Sequence, residues 1–185
     1  MKPKKIEITG LRKRWLISSL SPILVVLLLV AGTFCAGMAN YYYNMMLDGL
    51  KTRATHASDY FNSYSMNSYA SFYQAAATYT EEFAEKDYLE LQFIGTSGKI
   101  IISYGLTSGL SPGTPEISEA LQTGEIRDYR GVDPLTGEHI MSVCAPLLFN
   151  GRPVGAMRYV TSMSAVQKEI LITAGVAVGL LLLCL

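Results

Sequence analysis

Between Arg14 and Asp48 the chain carries no charged residue, and the core of that stretch reads "LISSLSPILVVLLLVAGTFCAGMA". A helix rising about 1.5 Å per residue needs roughly 20 residues to cross a hydrocarbon core of about 30 Å. Residues 16–39 are therefore read as a transmembrane helix, with Pro22 early in it, where a proline costs least. A second uncharged run, "ILITAGVAVGLLLLCL", fills Ile170–Leu185. Residues 169–185 are read as a second span, somewhat short of a full crossing. Half of all residues are hydrophobic and only 16% are charged, and these two runs hold the excess.

Charge orients the spans. The tail of residues 1–15 carries Lys2, Lys4, Lys5, Arg12, Lys13 and Arg14 against Glu7 alone. The positive-inside rule places it in the cytoplasm and puts residues 40–168 outside the plasma membrane. From Asn40 to Glu169 there are nine basic and fourteen acidic residues, a net charge of −5. A neutral total thus hides a basic tail and an acidic outer domain, which gives no support for nucleic-acid binding. The first apolar run exceeds the roughly 7–15 residues of a signal-peptide core, which favours an uncleaved anchor. A lipoprotein site at Cys35 is disfavoured by the bulk of Phe34 directly before it. Cys35 and Cys184 lie in the spans, so Cys144 is left without a disulfide partner outside.

The outer segment begins with apolar and aromatic residues at helical spacing: Phe61, Tyr64, Phe72, Ala75, Tyr79 and Phe83. They form one stripe at 3.6-residue period. The pattern predicts a long helix to about Asp87, with room for a break. "NYYYNMM" at Asn40–Met46 reads as an interfacial belt. At Tyr88 the period changes. "YLELQFIGTSGKIIISYG" reads as a hairpin around Gly95-Thr96-Ser97-Gly98, and Pro115–Gln122 as a short helix closed by Gly124. "EIRDYRGV", "EHIMSVCAPLLF" and "RPVGAMRYVTSM" are strand-like, the last two joined by Asn150-Gly151. The expected fold is α+β: a long N-terminal helix on a five-stranded antiparallel sheet, flanked by two transmembrane helices.

Catalytic and metal-binding patterns are missing. "GTSGKI" lacks phosphate-loop spacing, and no Ser, His and Asp set sits on a recognisable elbow. His56 and Asp59, one helical turn apart, read as a solvated pair. Glu81, Glu82, Glu85, Asp87 and Glu90 read as a solvated helix end. Gly175 and Gly179 form G-x-x-x-G in the second run, and Gly32 with Ala36 a similar small pair in the first; both spacings suit close helix packing.

The pieces "LELQFIGTSGKIIISYG", "PEISEALQTGE" and "TGEHIMSVCAPLLFNGRPVGAMRYVTSMSAVQ" follow one another in a specific order. The stretch Leu89–Gln167 resembles the extracytoplasmic Cache (PAS-like) sensor domain of bacterial sensor histidine kinases, particularly those of Gram-positive organisms. The resemblance implies a single Cache sheet, a homodimer in membrane lipid, and an extracellular small molecule or envelope signal. It also implies a cytoplasmic continuation: a linker, a histidine-bearing dimerisation helix and a kinase domain that uses ATP and Mg and addresses a response regulator. This chain is then the N-terminal sensory part, with no catalytic residue and no cofactor of its own. Chemotaxis receptors and diguanylate cyclases carry similar domains, and a stand-alone membrane binding protein is a third reading.

In PAS-like domains the pocket lies between the sheet and the short helix. Val154, Ala156, Arg158 and Val160 share one strand face, on which Arg158 is the only charge. Arg158 is therefore a candidate for an anionic ligand, although such a charge more often pairs with a nearby acid at the sheet edge. Tyr104, Tyr129 and Ser142 are the other candidate pocket residues.

Overall fold

A computed structural model describes residues 9–63, 69–106, 108–149 and 151–183. Helix α1 spans Thr9–Ser63 and α2 spans Tyr69–Glu82. Strands β1 (Glu90–Gly95) and β2 (Ile100–Ser103) follow, then helix α3 (Pro115–Thr123). Strands β3 (Arg127–Val132), β4 (His139–Phe149) and β5 (Arg152–Ser162) lead to helix α4 (Ser164–Leu183). The chain divides into two compact units, Met1–Tyr41 with Gln167–Leu185, and Tyr42–Val166.

In the first unit, α1 begins ahead of the expected span and takes in Arg12, Lys13 and Arg14. Among the described residues one helical stretch, Ser21–Ser63, is long and apolar enough to cross a membrane. In α4, a Cβ added at Gly175 or Gly179 would meet nothing within 4 Å among the described residues. Lys2, Lys4, Lys5, Glu7 and Cys184 lie outside the described residues.

The second unit is a single antiparallel sheet of five strands in the order β2-β1-β5-β4-β3, layered between helices. Alternation along each strand sends successive side chains to opposite faces. Leu91, Phe93, Val143, Ala145, Met157 and Tyr159 face α1 and α2, where they form the main core with Leu50, Ala54, Ala57 and Phe61. Phe61 meets Phe72, Tyr79 and Phe93 edge-on, with ring centroids 5.3–6.2 Å apart. The opposite face packs Ile94, Cys144 and Ala156 against Ile117 and Ala120 of α3.

The outer helical stretch expected to about Asp87 stops earlier, where α2 ends at Glu82. Glu81, Glu82, Glu85 and Asp87 crowd that end, and carboxylates at a helix C-terminus oppose its dipole. Lys86 donates to the Glu81 carbonyl there, and Leu89 N–H to the Glu85 carbonyl at 2.9 Å. Tyr64 and Asn150, used in the helix stripe and the β4–β5 turn, lie outside the described residues. Gly151 beside that turn has φ of 74°, a conformation that favours glycine.

Candidate functional site

Arg158 sits on β5, the middle strand of the sheet, opposite Gln92 of β1 and Cys144 of β4. It is 0% exposed, although an arginine is almost never fully buried without partners. α3 supplies its main partner. Pro115 opens that helix, whose φ it pre-sets, and Gly124 closes it at φ of 71°. This geometry turns Glu116, 1% exposed, down onto the sheet.

The network is asymmetric. Arg158 Nε donates to Glu116 Oε1 at 2.8 Å and Nη1 donates to Gln92 Oε1 at 2.9 Å. Nη2 donates to Thr114 Oγ1 at 3.1 Å and to Ser142 Oγ at 3.4 Å. The Thr114 and Ser142 hydroxyls in turn donate to Glu116 Oε1 at 2.8 and 2.7 Å. Three donors thus converge on one carboxylate oxygen, while Glu116 Oε2 is buried with no partner among the described residues. Asp133, 2% exposed, places Oδ2 3.9 Å from Arg158 Nη1. Two carboxylates therefore surround one guanidinium in a place shut off from water. An unpaired buried acceptor costs about 1–3 kcal/mol, so this is an expensive arrangement for packing alone.

Cys144 borders the network. Burial, reinforced by the Glu116 carboxylate and opposed by Arg158, pushes its thiol up to about 12. It stays a neutral thiol, a poor nucleophile, at physiological pH. Among the described residues no three His, Cys, Asp or Glu side chains come together as a metal site. A groove of about 530 Å³ runs between the β1–β2 turn and α3, lined by Thr96, Ser97, Ser111, Thr114, Ser118 and Gln122. Its Thr114 is the same residue that bonds Glu116 and Arg158, so the groove ends one hydrogen bond from the guanidinium.

The structure brings Arg158 and Ser142 together. It gives Arg158 an acid partner, but the acid comes from α3 and the strand is central, where the sequence pointed to a sheet edge. Tyr129 lies across from Ser142 in the β3–β4 register. Its hydroxyl turns away, donating to the Val132 carbonyl at 3.2 Å, and its ring covers Gly131. Tyr104 is not in this group: it is 60% exposed, with Lys86 Nζ 4.6 Å from its ring centroid. It follows Ser103, whose hydroxyl takes the inward place and donates to Glu90 at 2.7 Å. Sequence reading missed Glu116, Gln92, Thr114 and Asp133. The first-turn acid of α3 was visible, but nothing local shows that it points inward.

No protein-family model and no curated protein matches this chain. Solved structures do. The ligand-binding domain of Mlp24 with asparagine matches at TM-score 0.59 and 16% identity, covering 78% of this chain and 61% of that one. An extracellular ligand binding receptor from Desulfohalobium retbaense matches at TM-score 0.54 and 12% identity, over 69% of this chain and 24% of that one. The domain of the Pseudomonas aeruginosa chemoreceptor PctC with GABA matches at TM-score 0.50 and 14% identity, over 77% and 61%. The chain spans about three fifths of the length of the Mlp24 and PctC domains. At these identities the likeness is one of fold: this chain shares its long helix and five-stranded antiparallel sheet with those ligand-binding domains.

Proposed function

We propose that this chain is the sensing and anchoring region of a two-span membrane receptor whose cytoplasmic part is a histidine kinase. In this reading α1 anchors the chain with its basic tail inside, Tyr42–Val166 lies outside, and α4 makes the second crossing. Two copies pair through their helices, with Gly175 and Gly179 at the α4 contact. The kinase part uses ATP and Mg and passes phosphate to a response regulator.

The observation that carries this reading is the junction of β5 and α4. Strand β5, which holds Arg158 in its middle, ends at Ser162, and α4 starts at Ser164. A change around Arg158 has six residues to travel before it enters the helix, so a shift of the strand is a shift of the helix start. Two populated arrangements of the outer domain would bias two arrangements of the exit helices. Its fold is shared with domains solved with asparagine and GABA, which supports a signal of amino-acid size. The same fold in chemoreceptors keeps a second output open, a methyl-accepting coiled coil in place of the kinase.

Reading the coding sequence past Leu185 tests the output. A linker, a histidine-bearing helix and an ATP-binding domain support the kinase. A long methyl-accepting coiled coil moves the sensor to chemotaxis, a cyclase domain moves it to cyclic-dinucleotide synthesis, and an early stop codon removes the attached output.

A further inference from the structure

We infer that Arg158 and Ser142 form a carboxylate-binding slot that the chain's own Glu116 fills, and that a small monocarboxylate binds there by displacing Glu116. The inference rests on the sensor reading and specifies how its site is regulated. Glu116 Oε1 receives the Arg158 Nε–H, the Ser142 hydroxyl and the Thr114 hydroxyl, which is the donor set expected around a bound carboxylate oxygen. Its other oxygen is buried and unpartnered, so Glu116 fits the slot less completely than a free carboxylate able to turn within it.

The carrier of Glu116 is short and rests on the sheet through few side chains. Of the nine residues of α3, only Glu116, Ile117 and Ala120 are buried. Glycines with positive φ flank the helix, Gly113 at 70° and Gly124 at 71°. The groove beside α3 reaches Thr114 and gives a small anion its approach. Arg158 and Ser142 stay on the sheet when α3 moves. Displacement therefore exchanges one carboxylate for another at the guanidinium and frees α3, without leaving Arg158 unpaired.

The probe is acetate, because the atoms of Glu116 beyond Cβ are a CH2 and a carboxylate, and Glu116→Ala leaves an acetate-shaped hole beside Arg158. Calorimetric titration uses the full chain in lipid nanodiscs at constant ionic strength, with acetamide as the neutral isostere. Glu116→Ala is expected to bind acetate saturably and at least about tenfold more tightly than wild type, since the wild-type slot is open only part of the time. Acetamide, and acetate with Glu116→Ala/Arg158→Ala, give no binding. Equal affinity of wild type and Glu116→Ala, or binding that survives loss of Arg158, overturns the inference. If Glu116→Ala does not fold alone, folding restored by acetate and not by acetamide supports the slot, and restoration by neither counts against it. Glu116→Gln keeps the shape and loses the charge, so acetate must bind it several-fold more tightly than wild type; unchanged affinity sinks the idea. A slot that binds acetate in a chain with no output beyond Leu185 leaves the inference standing and removes the receptor reading. An output domain behind a slot blind to acetate does the reverse.

Discussion

The two faces of the sheet in Tyr42–Val166 are built from the same strands in opposite ways. Toward α1 and α2, Leu91, Phe93, Met157 and Tyr159 interlock with Phe61 and Leu50 in an apolar layer. Toward α3, the residues between them, Gln92 and Arg158, meet Glu116, Thr114 and Ser142 in a buried hydrogen-bonded cluster. The apolar face gains from every buried methylene and tolerates small shifts. The polar face gains little from the same burial, because each ion has been stripped of water and must be repaid by partners at hydrogen-bond distance. One face is thus suited to hold the domain together, and the other to have two states that differ by which carboxylate faces Arg158.

That contrast can be broken most forcefully at Arg158. Arg158→Ala leaves Glu116 and Asp133 buried with no cation, and the expected loss is about 3–5 kcal/mol in denaturant unfolding. Replacing the Arg158–Glu116 pair, Arg158→Met with Glu116→Leu, should recover part of it, because Asp133 stays buried without its cation; a double variant as unstable as the single one means that the loss does not come from leaving Glu116 unpaired. On the other face, Leu91→Ala removes a fully buried side chain and should cost about 2–4 kcal/mol. Acetate should restore none of that loss, which separates the faces in one titration.

Cys144 sharpens the comparison through pH. Its thiol pKa is raised to about 12 in the folded chain from an ordinary 9.0, so above pH 9 the unfolded chain gives up a proton that the folded chain keeps. Stability is therefore complete below pH 9 and falls by about 1.4 kcal/mol per pH unit above it, up to the folded value. Comparing urea unfolding at pH 8 and pH 10 measures this, and Cys144→Ala should flatten that component. Persistence of the full slope in the variant would show that it does not come from Cys144; Tyr159, whose hydroxyl is also pushed up strongly by burial and by Tyr79, adds its loss only above its ordinary 10.0. The smallest effect belongs to the rim. Lys51 and Asp128 pair at 2.6 Å but both are about two fifths exposed, so Lys51→Ala should change stability by less than about 1 kcal/mol.

The legibility of the sequence follows the range of the interactions. The Gly95–Gly98 turn, the Pro115 start and Gly124 end of α3, and the three C-terminal strands are all local patterns, and they stand where the sequence put them. The end of α2 was misplaced because periodicity alone does not register charges stacked against a helix dipole. Arg158 was legible as an odd charge on an apolar face, and Ser142 as a candidate for the same pocket. Tyr104 failed because alternation near the end of β2 gave the inward place to Ser103. Glu116 was missed because it lies 42 residues from Arg158, and no short-range pattern links an acid in a first helical turn to a distant strand.

By itself, the sequence determined the long apolar stretch of α1, the change of period at Tyr88 and the α+β order of elements, because those depend on neighbours a few residues apart. Only the tertiary structure decided that Arg158 stands in the middle strand and that α3 closes over it. It also decided that Glu116 meets it with one oxygen and leaves the other unpaired. Sheet order and helix docking are set by contacts between residues far apart in the chain, and the chemistry of a buried ion depends on which of those distant groups arrives within 3 Å.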